Sequence, residues 1–192
     1  MCIRDSNIVA HLSALVVTMH DPLRLAEDLA VLDNIAPGRV WLTAGMGYRP
    51  HEFEMFGKDI SKRLAIMNEA MATLKQAWTG EPFEFRERTV RVTPTPATPG
   101  GPKIYMGGST DKSAIRAAKG GYQYFPGHPD LFTLYKEERE KAGFPPPEEL
   151  RTPAASFLYV SDDPDRDWPL VAPHVAYATN AYACLLYTSP SP

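Results

Sequence analysis

Residues 103–111 read Lys103-Ile104-Tyr105-Met106-Gly107-Gly108-Ser109-Thr110-Asp111. A short apolar strand runs into two glycines, then into a hydroxyl pair where a helix is predicted to begin. That helix, over 111–119, turns Ala114, Ile115, Ala117 and Ala118 inward, and Gly120-Gly121 closes it. Glycine lets a backbone approach an anion closely. The first-turn N–H groups of a helix have no intrahelical partner, and the helix dipole favours negative charge there. Ser109 and Thr110 add hydroxyl donors, so the bend has the parts of a phosphate cradle. The plainer reading is a tight strand-to-helix turn capped by Ser or Thr. No Lys-Ser/Thr follows the glycines and no GxGxxG is present, which excludes a Walker loop and a dinucleotide fingerprint at this bend.

Working outward, the same strand-to-helix grammar repeats. Ala14-Leu15-Val16-Val17-Thr18 is a β-branched run read as a buried strand. Asp21 is a helix cap with Pro22 in the first turn. Leu25, Ala26, Leu29, Ala30 and Leu32 then recur at helical spacing until Pro37-Gly38. The next strand, 39–43, ends at Gly45-Met46-Gly47, and residues 48–58 read as a loop. A long helix is predicted over 59–78, capped by Asp59 or Ser61, with Ile60, Leu64, Met67, Met71, Leu74 and Trp78 on one face. Residues 83–92 alternate apolar and polar as a hairpin or edge strand does. The proline-rich stretch 94–102 is a stiff extended connection. Past the bend come a strand at 122–125, a helix at 129–142, a strand at 155–160 and a last helix near 171–183.

Repeated βα alternation predicts an α/β fold with parallel strands, either doubly wound or a (β/α)8 TIM barrel. Five barrel-type strands are visible where a closed barrel needs eight. Alternation alone does not choose between the two architectures.

The second element of interest is 43–53, TAGMGYRPHEF. Small residues at the C-terminal end of a strand leave room for a flat ring, and in barrels that end carries the active site. Read alone, it is better explained by a glycine-relaxed loop with scattered surface charge. The histidines are His11, His20, His51, His128 and His174; none pairs with another at helical ligand spacing, so no metal site is predicted. His20 lies just past a strand end and is the catalytic candidate by position, together with Tyr48 and Arg49.

Composition narrows the class of protein. The 192 residues are 44% hydrophobic and 22% charged, an ordinary globular balance. A formal net charge of −3 argues against a nucleic-acid partner. No apolar run approaches the ~20 residues of a membrane span and no secretory leader opens the chain, so no membrane partner and a cytoplasmic location are expected. The two cysteines, Cys2 and Cys184, form neither a disulfide framework nor a metal motif. Both lie in terminal stretches, 1–6 (MCIRDS) and 184–192 (CLLYTSPSP), that read as adapter-derived ends. The natural domain is then 7–183, an internal piece of a longer protein.

Taken together, the segment from Leu23 to Gly57 (LRLAEDLAVLDNIAPGRVWLTAGMGYRPHEFEMFG) resembles luciferase-like monooxygenases, in which "LAE…LD…GRV…G.G…EF…G" spans a helix, a strand and its active-site loop. LKQAWTGEPFEF is similar to that family's ending of the next helix, and GGPKIYMGGSTDKSAIRAAKGGYQYF to its later strand and "GGS" turn. WPLVAPHVAYATNAYA looks like its downstream helix, so the resemblance covers most of 14–183. It implies a partial bacterial luciferase-like TIM barrel and a flavin-dependent oxidoreductase or monooxygenase. Such an enzyme acts on a small organic substrate with reduced FMN and O2. By the same resemblance, Gly45 and Gly47 would lie beside the flavin ring, and Gly107, Gly108, Ser109 and Thr110 would hold its phosphate. The alternatives are an F420-dependent hydride-transfer enzyme and a truncated, non-catalytic flavin-binding piece. A homodimer is open for the full-length parent. The family's catalytic base has no counterpart here, so the catalytic residue is unassigned beyond His20.

Overall fold

The computed structural model describes residues 6–148 and 159–188. The chain divides into two compact units, Met1–Glu149 and Leu150–Pro192. In the first unit the elements follow in the order β1 (Ala10–Val16), α1 (Pro22–Ile35), β2 (Val40–Gly45), α2 (Pro50–Met55), α3 (Arg63–Ala77), β3 (Phe83–Phe85), β4 (Arg88–Val90), β5 (Lys103–Gly108), α4 (Asp111–Lys119), β6 (Gln123–Pro126) and α5 (Pro129–Lys141). The second unit contains α6 (Pro164–Thr188).

One four-stranded sheet has the order β1-β2-β5-β6, every pair parallel. The hairpin β3–β4 forms a separate antiparallel pair. Successive sheet strands stay neighbours with no reversal of order. A doubly wound sheet reverses at a switch point, so the order is that of a barrel wall, here not closed. The fold is the expected α/β type with a parallel sheet.

Alternation along each strand sorts the two faces. Val40, Leu42, Ala44, Met106 and Tyr124 join Leu25, Leu29, Met67, Met71, Leu74 and Ala117 of the helices in one core. Full burial of a Leu or Met stabilises by about 1.5–3 kcal/mol relative to exposure. The opposite face carries His11, Trp41, Tyr105 and Phe125, whose rings pack with centroids 5.5–6.5 Å apart. In a closed barrel this is the interior face.

Several expectations shift. Strand β1 begins at Ala10 and ends at Val16, and Val17–Met19 form a 3-10 turn, so Thr18 leaves the strand. The 48–58 stretch contains α2, because Pro50 sits at its first position and Phe53 finds a buried place. Asp59 caps the short 3-10 turn Ile60–Lys62, accepting the Ser61 amide at 2.9 Å, and α3 starts only at Arg63. Leu32 and Leu64, expected inside, are 41% and 40% exposed. The faces of α1 and α3 are instead completed by small or polar residues: Asp33, Ala70, Thr73 and Ala77. The proline-rich connection is stapled to α1. Asp33, fully buried, accepts from the Thr98 amide at 2.6 Å, the Thr98 hydroxyl at 2.8 Å and the Gly38 amide at 3.3 Å. Asn34 Nδ2 donates to the Thr95 carbonyl at 2.8 Å.

The last helix starts at Pro164, seven residues before the expected 171. Asp163 accepts the Arg166 amide at 3.1 Å at its start, and Pro169 and Pro173 lie within it. It runs to Thr188, into the stretch read as an adapter-derived end. Residues 155–158 of the expected strand 155–160 lie outside the described residues, and Tyr159 and Val160 are not in a strand. No helix among the described residues is long and apolar enough to cross a membrane.

Candidate functional site

Because all four sheet strands are parallel, their C-terminal ends form one rim. That rim collects the turn after β1 with Thr18 and His20, the Gly45-Met46-Gly47 bend after β2, the Gly107–Thr110 bend after β5 and the Gly127-His128 loop after β6. The two glycine bends are immediate neighbours: Ala44 pairs with Met106, and one residue further each strand reaches glycine. Gly107 in turn pairs with Phe125.

The glycines are required by close approach. A Cβ on Gly107 would sit 2.8 Å from Thr43 Cγ2 and 3.4 Å from the Ala44 carbonyl oxygen. Gly47 has φ +77°, and a Cβ there would sit 2.9 Å from Val16 Cγ1 and 3.1 Å from Phe53 Cε2. Glycine at these positions lets neighbouring strands and the following helices pack directly against the bends, which carry no side chain at 45, 47, 107 and 108.

Beside the bends stands the start of α4. Thr110 is its N-cap: its hydroxyl accepts the Ser113 amide at 3.3 Å, and Ser113 Oγ accepts the Thr110 amide at 3.2 Å, a reciprocal capping box. Tyr124 Oη donates to the Gly108 carbonyl at 2.8 Å and lies 3.0 Å from Ser113 Oγ. Burial pushes the Tyr124 hydroxyl above the usual tyrosine range, so it stays a donor. The Gly127 amide donates to the same carbonyl at 2.8 Å. The bend is therefore held by its carbonyl, while the amides of Asp111 and Lys112 meet no acceptor among the described residues. Ser109 is exposed, with no hydrogen bond from its hydroxyl among the described residues. Asp111 and Lys112, both exposed, place opposite charges in this first turn.

Gly45, Gly47, Gly107, Gly108, Ser109 and Thr110 are thus gathered on one rim, and the Thr110 hydroxyl has a capping duty. His20 is exposed on the same rim; its carbonyl accepts from Lys58 Nζ at 3.2 Å. Arg49 lies 3.7 Å from Glu52 and 5.9 Å from the Tyr48 ring, at the mouth of α2. Sequence reasoning missed three supports. Thr18 is fully buried and donates to the Met46 carbonyl at 2.9 Å. Lys58 carries no motif. His11 Nε2 lies 2.8 Å from Thr43 Oγ1, directly behind Gly107. Among the described residues, no three His, Cys, Asp or Glu side chains cluster as metal ligands.

The model of the luciferase-like monooxygenase family matches residues 3–188. The chain belongs to that family. The chain resembles the monooxygenase RslO1 of Streptomyces bottropensis, with TM-score 0.70 and 24% identity, over 92% of this chain and 58% of that one. It also resembles the oxygenating constituent of 3,6-diketocamphane monooxygenase from the CAM plasmid of Pseudomonas putida, solved in complex with FMN. There the TM-score is 0.63 and identity 22%, over 73% of this chain and 46% of that one. Among sequence relatives, the F420-dependent hydroxymycolic acid dehydrogenase of Mycobacterium tuberculosis is 32% identical over 110 residues, 53% of this chain and 30% of that protein. The chain spans a third to a half of the length of the first curated relatives it matches. The family is that of flavin- or F420-dependent oxidoreductases and monooxygenases.

Proposed function

We propose that this chain carries the flavin side of a monooxygenase that oxidises a small organic substrate with reduced FMN and O2. The observation that supports it is the adjacency of two glycine bends on neighbouring parallel strands, with a capped helix start at one of them. Gly45 and Gly47 would lie beside the ring. Gly107, Gly108 and Ser109 with the first-turn amides of α4 would hold the phosphate, and the Thr110 hydroxyl would shape that turn. When bound, the reduced flavin supplies the electrons, and the protein's part is to bind, orient and shield it. His20 is the rim histidine available to hold or move a proton near the ring.

Titration of the chain with FMN, riboflavin and F420, followed by flavin fluorescence, tests this. Saturable FMN binding tighter than riboflavin binding is the expected outcome. Binding of none of the three would overturn the reading. Preference for F420 would favour the second reading, hydride transfer, which the likeness to the mycobacterial dehydrogenase motivates.

A further inference from the structure

Gly47 sits in the left-handed region with φ +77°, and Met46 precedes it in the bend. The Met46 carbonyl is fixed by Thr18, a side chain fully buried in the turn after β1. That turn is itself held from outside. Lys58, which follows α2, donates from Nζ to the carbonyls of Thr18 and His20, the latter at 3.2 Å. We propose that Lys58 and Thr18 are positioning residues: Lys58 fixes the turn after β1, and Thr18, through the Met46 carbonyl, fixes the Gly45–Gly47 bend against which the cofactor ring would lie.

The surroundings suit this role. Arg86 reaches Glu69 with two 2.8 Å hydrogen bonds and lies 3.9 Å from Asp21, and the charges of all three act on the Lys58 ammonium. Burial, with the Arg86 charge, lowers the Lys58 pKa, while Asp21 and Glu69 raise it. The ammonium is spent on two backbone carbonyls rather than on a surface ion pair, which aims it at the loop. The ligand in this inference rests on the flavin reading; the relay of contacts does not.

The test uses the full chain and its Thr18→Val, Thr18→Ser and Lys58→Met variants, first compared for thermal midpoint. Amide hydrogen exchange is read over 44–49 and over 17–20, and FMN and riboflavin are titrated in parallel. Thr18→Val should raise exchange over 44–49 at least tenfold and weaken FMN and riboflavin by the same factor, because the ring seat moves and the phosphate bend does not. Thr18→Ser should restore both. Lys58→Met should raise exchange over 17–20 and 44–49 together, and it stands in if Thr18→Val does not fold. Unchanged exchange over 44–49 in a folded variant overturns the relay, as does loss of FMN affinity with riboflavin affinity intact. If the unsubstituted chain binds neither flavin, the proposed function fails, while exchange still decides the relay.

Discussion

Gly107 lies so close to Thr43 that a single added carbon would stand 2.8 Å from the threonine methyl. The methyl can turn away only by rotating the Thr43 side chain, which would give up its 2.8 Å contact with His11 Nε2. Gly107→Ala should destabilise the chain by about 1–3 kcal/mol, the usual cost of overpacking, and abolish FMN binding. Thr43→Ser removes the methyl and keeps the hydroxyl that faces His11. The double variant should therefore regain most of the lost stability in urea unfolding. No recovery would mean that the clash lies elsewhere.

The start of α4 provides a charge test. Ser109→Asp places a carboxylate where the phosphate is proposed to sit. FMN affinity should fall at least tenfold, about 1.4 kcal/mol, while riboflavin, which lacks the phosphate, should bind as before. Equal losses for both ligands would move the phosphate away from this bend.

Asp33 is a structural prediction independent of any ligand. Its buried carboxylate accepts three donors from the exposed Gly38 and the half-buried Thr98: both amides and the Thr98 hydroxyl. Asp33→Ala removes the shared acceptor of the Thr98 amide and hydroxyl, while the Gly38 amide keeps the Thr98 hydroxyl oxygen at 2.8 Å, and it should cost about 1–3 kcal/mol. Thr98→Val, which removes one donor, should cost less. Denaturant midpoints with unchanged slopes would check both.

His11 provides the pH dependence. Burial among Trp41, Tyr105 and Phe125 lowers its pKa below the ordinary histidine range. The folded chain thus takes up the proton less readily than the unfolded chain does. The stability from the neutral ring is fully present above the ordinary histidine pKa, and it is lost as pH falls toward the lowered value. Unfolding measured from neutral to mildly acidic pH should show a decline that His11→Gln removes. A variant that declines as steeply as the parent would assign the loss to other groups.

The alternation of apolar runs and helix caps made the parallel βα frame legible, and Asp21 caps α1 as expected, accepting the Leu23 amide at 2.9 Å. The glycine-hydroxyl bend was legible for the same reason: its chemistry is local. What stayed hidden depends on distant partners. Thr18 reads as one more β-branched strand residue until the Met46 carbonyl is placed beside it, and Lys58 looks like any surface lysine. Asp33 reads as the polar side of a helix, because Thr98 is far along the chain. Leu32 and Leu64 keep the helical period yet are exposed, because the buried faces turn instead on Asp33 in α1 and on Ala70, Thr73 and Ala77 in α3. Pro50 could have signalled α2, for proline suits a first helical turn.

Trp41 pairs with Lys103 across the whole excursion of α2, α3, the hairpin and the proline-rich connection. Closing so long a loop costs entropy before the contact returns any stability. The two halves of the rim should therefore meet late in folding, with the Asp33 contacts to Thr98 helping to hold the returning chain. Damage far from the rim, at those contacts, should leave each bend locally formed but misaligned with its neighbour, so that ligand capture fails before helical content does.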